Sequence, residues 1–108
     1  MTHQDIAGIG RDVPVEVNAQ GGSQSTTPYA FDLIDPLAMF ELARVHAQGD
    51  AKYGRFNWRK IEARSHVNHA LQHLYAWLAD DEGDDHLAHA ATRCMMALAM
   101  ELHERDGV

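Results

Sequence analysis

The chain has 108 residues, 45% of them apolar, and carries 16 acidic side chains against nine Lys and Arg, for a net charge of −7. That length allows one domain, and the acidic balance argues against a nucleic-acid polymer or an anionic membrane as partner. A single cysteine, Cys94, excludes an internal disulfide framework, no apolar run approaches the roughly 20 residues of a membrane span, and no secretion signal is visible, so the expected compartment is a cytosol.

Residues 1–30 show no helical period. Gly8, Gly10, Pro14, Gly21, Gly22 and Pro28 punctuate them, and the stretch reads as an extended or partly disordered arm. Val13, Val15 and Val17 alternate and could form one short edge strand. Residues 31–108 are expected to form the folded domain.

The first helix starts at an Asp35 cap with Pro36 at its first position and is expected to stop at Gly49. An irregular piece from Asp50 to Lys60 follows, crowded with aromatics and cations. The second helix is expected from Ser65 to about Asp81, because Val67, Ala70, Leu71, Leu74, Tyr75 and Leu78 recur at three- and four-residue spacing. Gly83 breaks it. The third runs from His86 to about Arg105, with Leu87, Ala91, Cys94, Met95, Leu98 and Leu102 as its apolar face and Met96 and Met100 off that face. A helix apolar on more than one side has more than one partner. The expected fold is all-α: an antiparallel bundle of about three helices with an irregular N-terminal arm, completed by oligomerisation to a homodimer or homotetramer.

Three groups of residues could carry chemistry. His66, His69, His73 and Asp80 share one stripe of the second helix, and His86, His89 and Arg93 share one on the third. A tight turn makes the two helices antiparallel neighbours, and imidazoles converging between helices are one way bundles build metal sites. One such histidine alone is more often a packing residue; five in register shift the balance to about even. The turn itself is acidic, through Asp80, Asp81, Glu82, Asp84 and Asp85; carboxylates at the end of a helix oppose its dipole, and a hard cation would relieve that cost. In the third group, Lys52, Arg55, Arg59 and Lys60 suit phosphates, Tyr53, Phe56 or Trp58 suit a base face, and Asn57 suits a base edge. Phe56 and Trp58 read better as anchors into the core, whereas Lys52 and Asn57 read better as functional.

The runs Phe31-Asp-Leu-Ile-Asp-Pro-Leu-Ala, Gly49-Asp-Ala-Lys-Tyr-Gly-Arg-Phe-Asn-Trp-Arg, His69-Ala-Leu-Gln-His-Leu-Tyr-Ala-Trp and His86-Leu-Ala-His-Ala resemble the N-terminal domain family of phage dATP/dGTP diphosphohydrolases, over roughly residues 29–103. That family looks related to the all-α nucleotide pyrophosphohydrolases of the MazG and dUTPase kind, which hold Mg²⁺ with Glu-x-x-Glu and Glu-x-x-Asp pairs. The resemblance implies a metal-dependent pyrophosphohydrolase that acts on nucleoside triphosphates, purine deoxynucleotides first among them, in the host cytoplasm if the chain is phage-encoded. Here His69 and His73 stand where the first acidic pair would be, and His86 and His89 where the second would be. Imidazole is a poor ligand for Mg²⁺ and a good one for Mn²⁺, Co²⁺ or Zn²⁺.

The expected site follows from both arguments. Metal ligands are sought among His69, His73, Asp80, Asp84, His86 and His89, with Mg²⁺ or Mn²⁺ as the implied ion and Co²⁺ or Zn²⁺ suited to the histidines. Lys52, Tyr53, Asn57, Arg59 and Arg93 are expected to bind substrate, and Glu41 or Asp81 to serve as general base. The rival reading is a non-catalytic helical module that binds a nucleotide or a metal.

Overall fold

A computed structural model describes residues 6–105. Two short strands, β1 (Val15–Val17) and β2 (Ser23–Ser25), precede a 3-10 turn at Phe31–Leu33. Three helices follow, α1 (Pro36–Tyr53), α2 (Ala63–Leu78) and α3 (His86–Arg105), with a second 3-10 turn at Asn57–Lys60 between α1 and α2. The chain is therefore mostly helical but not all-α. The strands pair antiparallel, Val15 opposite Ser25 and Val17 opposite Ser23. Asn18 builds the connection by accepting the backbone N–H groups of Gln20 and Gly22, an Asx-type turn. The expected strand at Val15 and Val17 is present. Its partner Ser23-Gln24-Ser25 carries no apolar alternation and gives no sequence signal. Among the described residues the hairpin packs against none of the helices.

Asp35 caps α1 as expected, its carboxylate accepting the Ala38 N–H at 2.9 Å. The helix does not stop at Gly49. A glycine inside a helix costs only about 1 kcal/mol, and α1 runs a further turn to Gly54, whose φ of 98° ends it. α2 ends at Leu78, three residues before the expected stop. Asp80 adopts φ 60°, Asp80 N–H reaches Trp77 O, and Asp81 N–H reaches Ala76 O. These are the two bonds of a Schellman motif, with an aspartate in the left-handed position that glycine usually takes. α3 begins and ends as expected.

α2 and α3 are antiparallel neighbours: His73 meets His86 near the turn, while His66 meets Arg93 further along. α1 lies against α3, and Arg44 ties it to the turn by bonding Glu41 and Asp85.

The core is thin. Val45, Ala70, Ala90, Met96 and Ala97 are its buried apolar residues, and the largest fully covered side chains are His66 and Thr92. The faces of α3 are assigned the other way round from expectation. Leu87 and Leu98 are 51% and 55% exposed, while Met96 is buried. The helices meet through small residues and histidines, which allow close approach, and the leucine face is left outward. The radius of gyration, 18.2 Å, exceeds the roughly 13 Å of a compact domain of this length. Among the described residues no helix is long and apolar enough to cross a membrane.

Candidate functional site

The end of α1, the loop after it, and the facing sides of α2 and α3 enclose a cleft of about 790 Å³, within the range of small-molecule sites. The wall from α1 and its loop carries His46, Asp50, Lys52, Tyr53, Phe56, Asn57 and Trp58. The opposite wall carries His73, Asp84, His89 and Arg93.

His73, Asp84 and His89 each bring one ligand atom within 4.8 Å of the others. The His73 and His89 rings stack at 4.9 Å and 15°, and His89 Nε2 lies 3.3 Å from Asp84 Oδ1. The turn sets this geometry: the Schellman end of α2 and the start of α3 at His86 hold Asp84, two residues ahead of that start, beside His89. Burial first, then the neighbouring His89 and His86, push His73 below the ordinary histidine value. The Asp85 backbone N–H is the main cause holding the Asp84 carboxyl below its usual range. Two imidazoles beside a carboxylate form a donor set that fits a first-row divalent cation better than Mg²⁺.

Of the remaining expected ligands, His86 lies beside the cluster with both ring nitrogens engaged. Its Nδ1 is 3.0 Å from His73 Nδ1 and its Nε2 2.6 Å from Asp81 Oδ2, so it has no lone pair free for an ion. His69 is exposed on the outer side of α2 and is not brought to the cluster. Asp80 is spent on the left-handed helix end, and its exposed carboxylate also stays outside.

The expected substrate residues divide similarly. Lys52, Tyr53, Asn57 and Arg93 line the cleft; Arg59 does not. Its guanidinium stacks over Phe56 at 4.3 Å and Trp58 at 5.3 Å, a cation–π arrangement that the Lys52 ammonium also makes, over Tyr53 at 5.1 Å. Phe56, expected as a core anchor, is exposed along the cleft with a left-handed φ of 59°. Trp58 is half-buried between His46 and His66. Neither expected general base stands free in the cleft. Glu41 is exposed and bonded to Arg44 at 2.6 Å. Asp81 accepts from His86 and from the Gly83 N–H through the same oxygen.

Two histidines matter more than the sequence reading allowed. His66, 0% exposed, donates from Nε2 to Trp58 O at 2.9 Å and accepts Arg93 Nη1 at Nδ1, 3.0 Å away. It thereby joins the loop to the Arg93 side of the cleft. Burial lowers its pKa, against the opposing effect of the Trp58 carbonyl and with further lowering by Arg93 and His69. His46 was missed altogether. Its Nε2 is buried with no hydrogen-bond partner among the described residues, and burial lowers its pKa. The available signal was its place beside Leu42, Val45 and Gly49, at the i, i+3, i+4, i+7 spacing of an inward helix face.

A three-helix module with a cationic, aromatic loop facing a histidine–aspartate cluster across one cleft is the class that the fold and site define. The sequence matches the family described as dATP/dGTP diphosphohydrolase, N-terminal, over residues 18–107, and the chain belongs to that family. A dATP/dGTP diphosphohydrolase of Salmonella phage PMBT28 is 37% identical over 68 residues, a stretch covering 58% of this chain and 23% of that relative. The chain thus matches less than a quarter of the relative's length. No solved structure matches it.

Proposed function

We propose that this chain binds a nucleoside triphosphate, with purine deoxynucleotides the first candidates, and supports its hydrolysis to monophosphate and pyrophosphate. The observation that carries this reading is the sharing of one cleft by Lys52, Tyr53, Asn57 and Arg93 with the cluster of His73, Asp84 and His89. Lys52 and Arg93 meet the phosphates from opposite walls. Tyr53 and Phe56 offer faces for the base, and Asn57 offers a donor and an acceptor for its edge. His73, Asp84 and His89 would hold a divalent cation, Mn²⁺, Co²⁺ or Zn²⁺ in preference to Mg²⁺. When bound, that ion supplies Lewis-acid neutralisation of phosphate charge. His66 holds Arg93 in place by accepting one of its N–H groups. A deoxynucleotide substrate would be met in a cytosol. The bare leucine faces of α2 and α3 support assembly into a homodimer or homotetramer.

The deciding experiment is a nucleotide panel assayed for pyrophosphate release with Mg²⁺, Mn²⁺ and Co²⁺ in parallel. Release from dATP or dGTP that depends on Mn²⁺ or Co²⁺ is expected. A second reading, a binding module without turnover, is favoured by one observation: Asp84 is the only carboxylate in the cluster, and Glu41 and Asp81 are both engaged elsewhere. Nucleotide binding without pyrophosphate release would select it, and absence of binding would remove both readings.

A further inference from the structure

His86 and Asp81 have no task in the cleft, yet they are bonded in series behind His73. Asp81 Oδ2 lies 2.6 Å from His86 Nε2, and His86 Nδ1 lies 3.0 Å from His73 Nδ1. His86 is 8% exposed, so the chain of bonds is shielded from competing water at its centre. Two ring nitrogens in contact must share one proton and one lone pair. The direction of that bond is set one residue further back.

The carboxylate of Asp81 can only accept. It is kept ionised by the His86 bond and the Gly83 N–H. His86 must therefore carry a proton on Nε2, and wherever it holds no second proton its Nδ1 has a lone pair. His73 must then carry its proton on Nδ1, which leaves Nε2 as its one bare nitrogen. We propose that Asp81 and His86 form a tautomer lock that fixes His73 as the Nδ1–H form, so that Nε2 is the nitrogen offered to a cation with Asp84 and His89. Free histidine in water favours the opposite, Nε2–H form, which could not bind an ion through Nε2. The lock thus inverts the intrinsic preference at the residue where that preference would block the site. Asp81 and His86 are positioning residues here, in the manner of carboxylate–histidine pairs behind metal ligands, with a second imidazole inserted between carboxylate and ligand. This inference rests on the reading of His73, Asp84 and His89 as a cation site.

The test uses the full chain, metal-free, at pH 8, above the ordinary histidine range. Long-range ¹H–¹⁵N correlation spectra report which nitrogen of each ring is protonated. His73 is expected as Nδ1–H and His86 as Nε2–H. His86→Leu and Asp81→Ala should each return His73 towards the Nε2–H form and weaken Mn²⁺ binding, measured by calorimetry, by about 10- to 100-fold. His86→Asn should restore both, because its amide oxygen hangs from Cγ as Nδ1 does and can accept the His73 proton. Helical circular dichroism checks that each variant is folded, and the wild-type spectrum alone tests the lock if one is not. Mn²⁺ bound by a wild-type protein whose His73 is Nε2–H overturns the lock alone. A locked His73 in a protein that binds neither Mn²⁺ nor Co²⁺ overturns the cation site, and the purpose of the lock with it.

Discussion

The inner and outer faces of α3 invert the usual distribution of polarity. The inner face meets α1 and α2 through His86, His89, Ala90, Arg93, Met96 and Ala97; His86 and Arg93 are hydrogen-bonded to α2, and His89 lies 3.3 Å from Asp84. The outer face presents Leu87, Cys94 and Leu98 to solvent. Hydrophobicity alone therefore misassigns the intrachain contact. Within the chain the helices are joined by small residues that permit close packing and by imidazoles that satisfy one another, while the larger apolar groups face outward.

The largest expected effect tests the inner face. His66→Leu leaves the Trp58 carbonyl and an Arg93 N–H without their partner in a fully covered position. It should cost about 2–4 kcal/mol in urea denaturation. Leu98→Ala, despite removing a larger apolar group from water-exposed surface, should change the stability of the isolated subunit by less than about 0.5 kcal/mol. Equal losses from the two substitutions would abolish the contrast.

The cluster gives the next effect. Mn²⁺ or Co²⁺ at a hundredfold excess over its dissociation constant should stabilise the chain by about 2.7 kcal/mol, visible as a rise in Tm. His89→Ala should abolish that rise, and His69→Ala, on the exposed side of α2, should not. A rise that survives His89→Ala would move the ion elsewhere.

On the outer face, Leu98→Glu should weaken self-association by about tenfold or more, since it puts a charge into an apolar contact. Light scattering across a dilution series reads this directly. A wild-type chain that is monomeric at micromolar concentration would overturn self-association through the leucine face. At the turn, Asp80→Gly should stabilise the chain by up to about 1 kcal/mol, because glycine adopts the left-handed conformation without steric cost. It should leave Mn²⁺ affinity unchanged, and a loss of affinity would return Asp80 to the ligand set.

The smallest effect is the pH dependence of the inner face. His46 and His66 both have folded-state pKa values lowered by burial from an ordinary value of 6.5. The unfolded chain then binds protons at a pH where the folded chain does not. Stability is fully present above about 6.5 and declines as pH falls from there towards the folded values. Denaturation midpoints between pH 8 and pH 5 should fall accordingly, and His46→Phe should flatten part of the decline. The groups facing His66 from other elements are Arg93 and the Trp58 carbonyl, with His69 on its own helix. The first opposes protonation and the second favours it.

What the sequence determined by itself was local or carried by family likeness. The Asp35–Pro36 start of α1, the span of α3, the antiparallel pairing through the Gly83 turn and the family membership all rest on short-range capping, periodicity and motif order. The sequence also nominated His73 and His89, from spacings that put them on facing stripes, and Asp84, from the acidic turn between them. Tertiary structure alone decided which face of α3 turned inward, because that choice depends on how closely two backbones can approach and not on summed hydrophobicity. It also decided the split within the candidate site. His69 and His73 look equivalent along one helix, but only His73 meets the neighbouring helix; Arg59 and Arg93 are both cations, but only Arg93 is drawn to the cleft. His86 and Asp81 do not stand free in the cleft, because they are bonded to one another and to His73 and Gly83. Such commitments are made between residues from different elements, and no one-dimensional spacing encodes which of two available partners a side chain will reach.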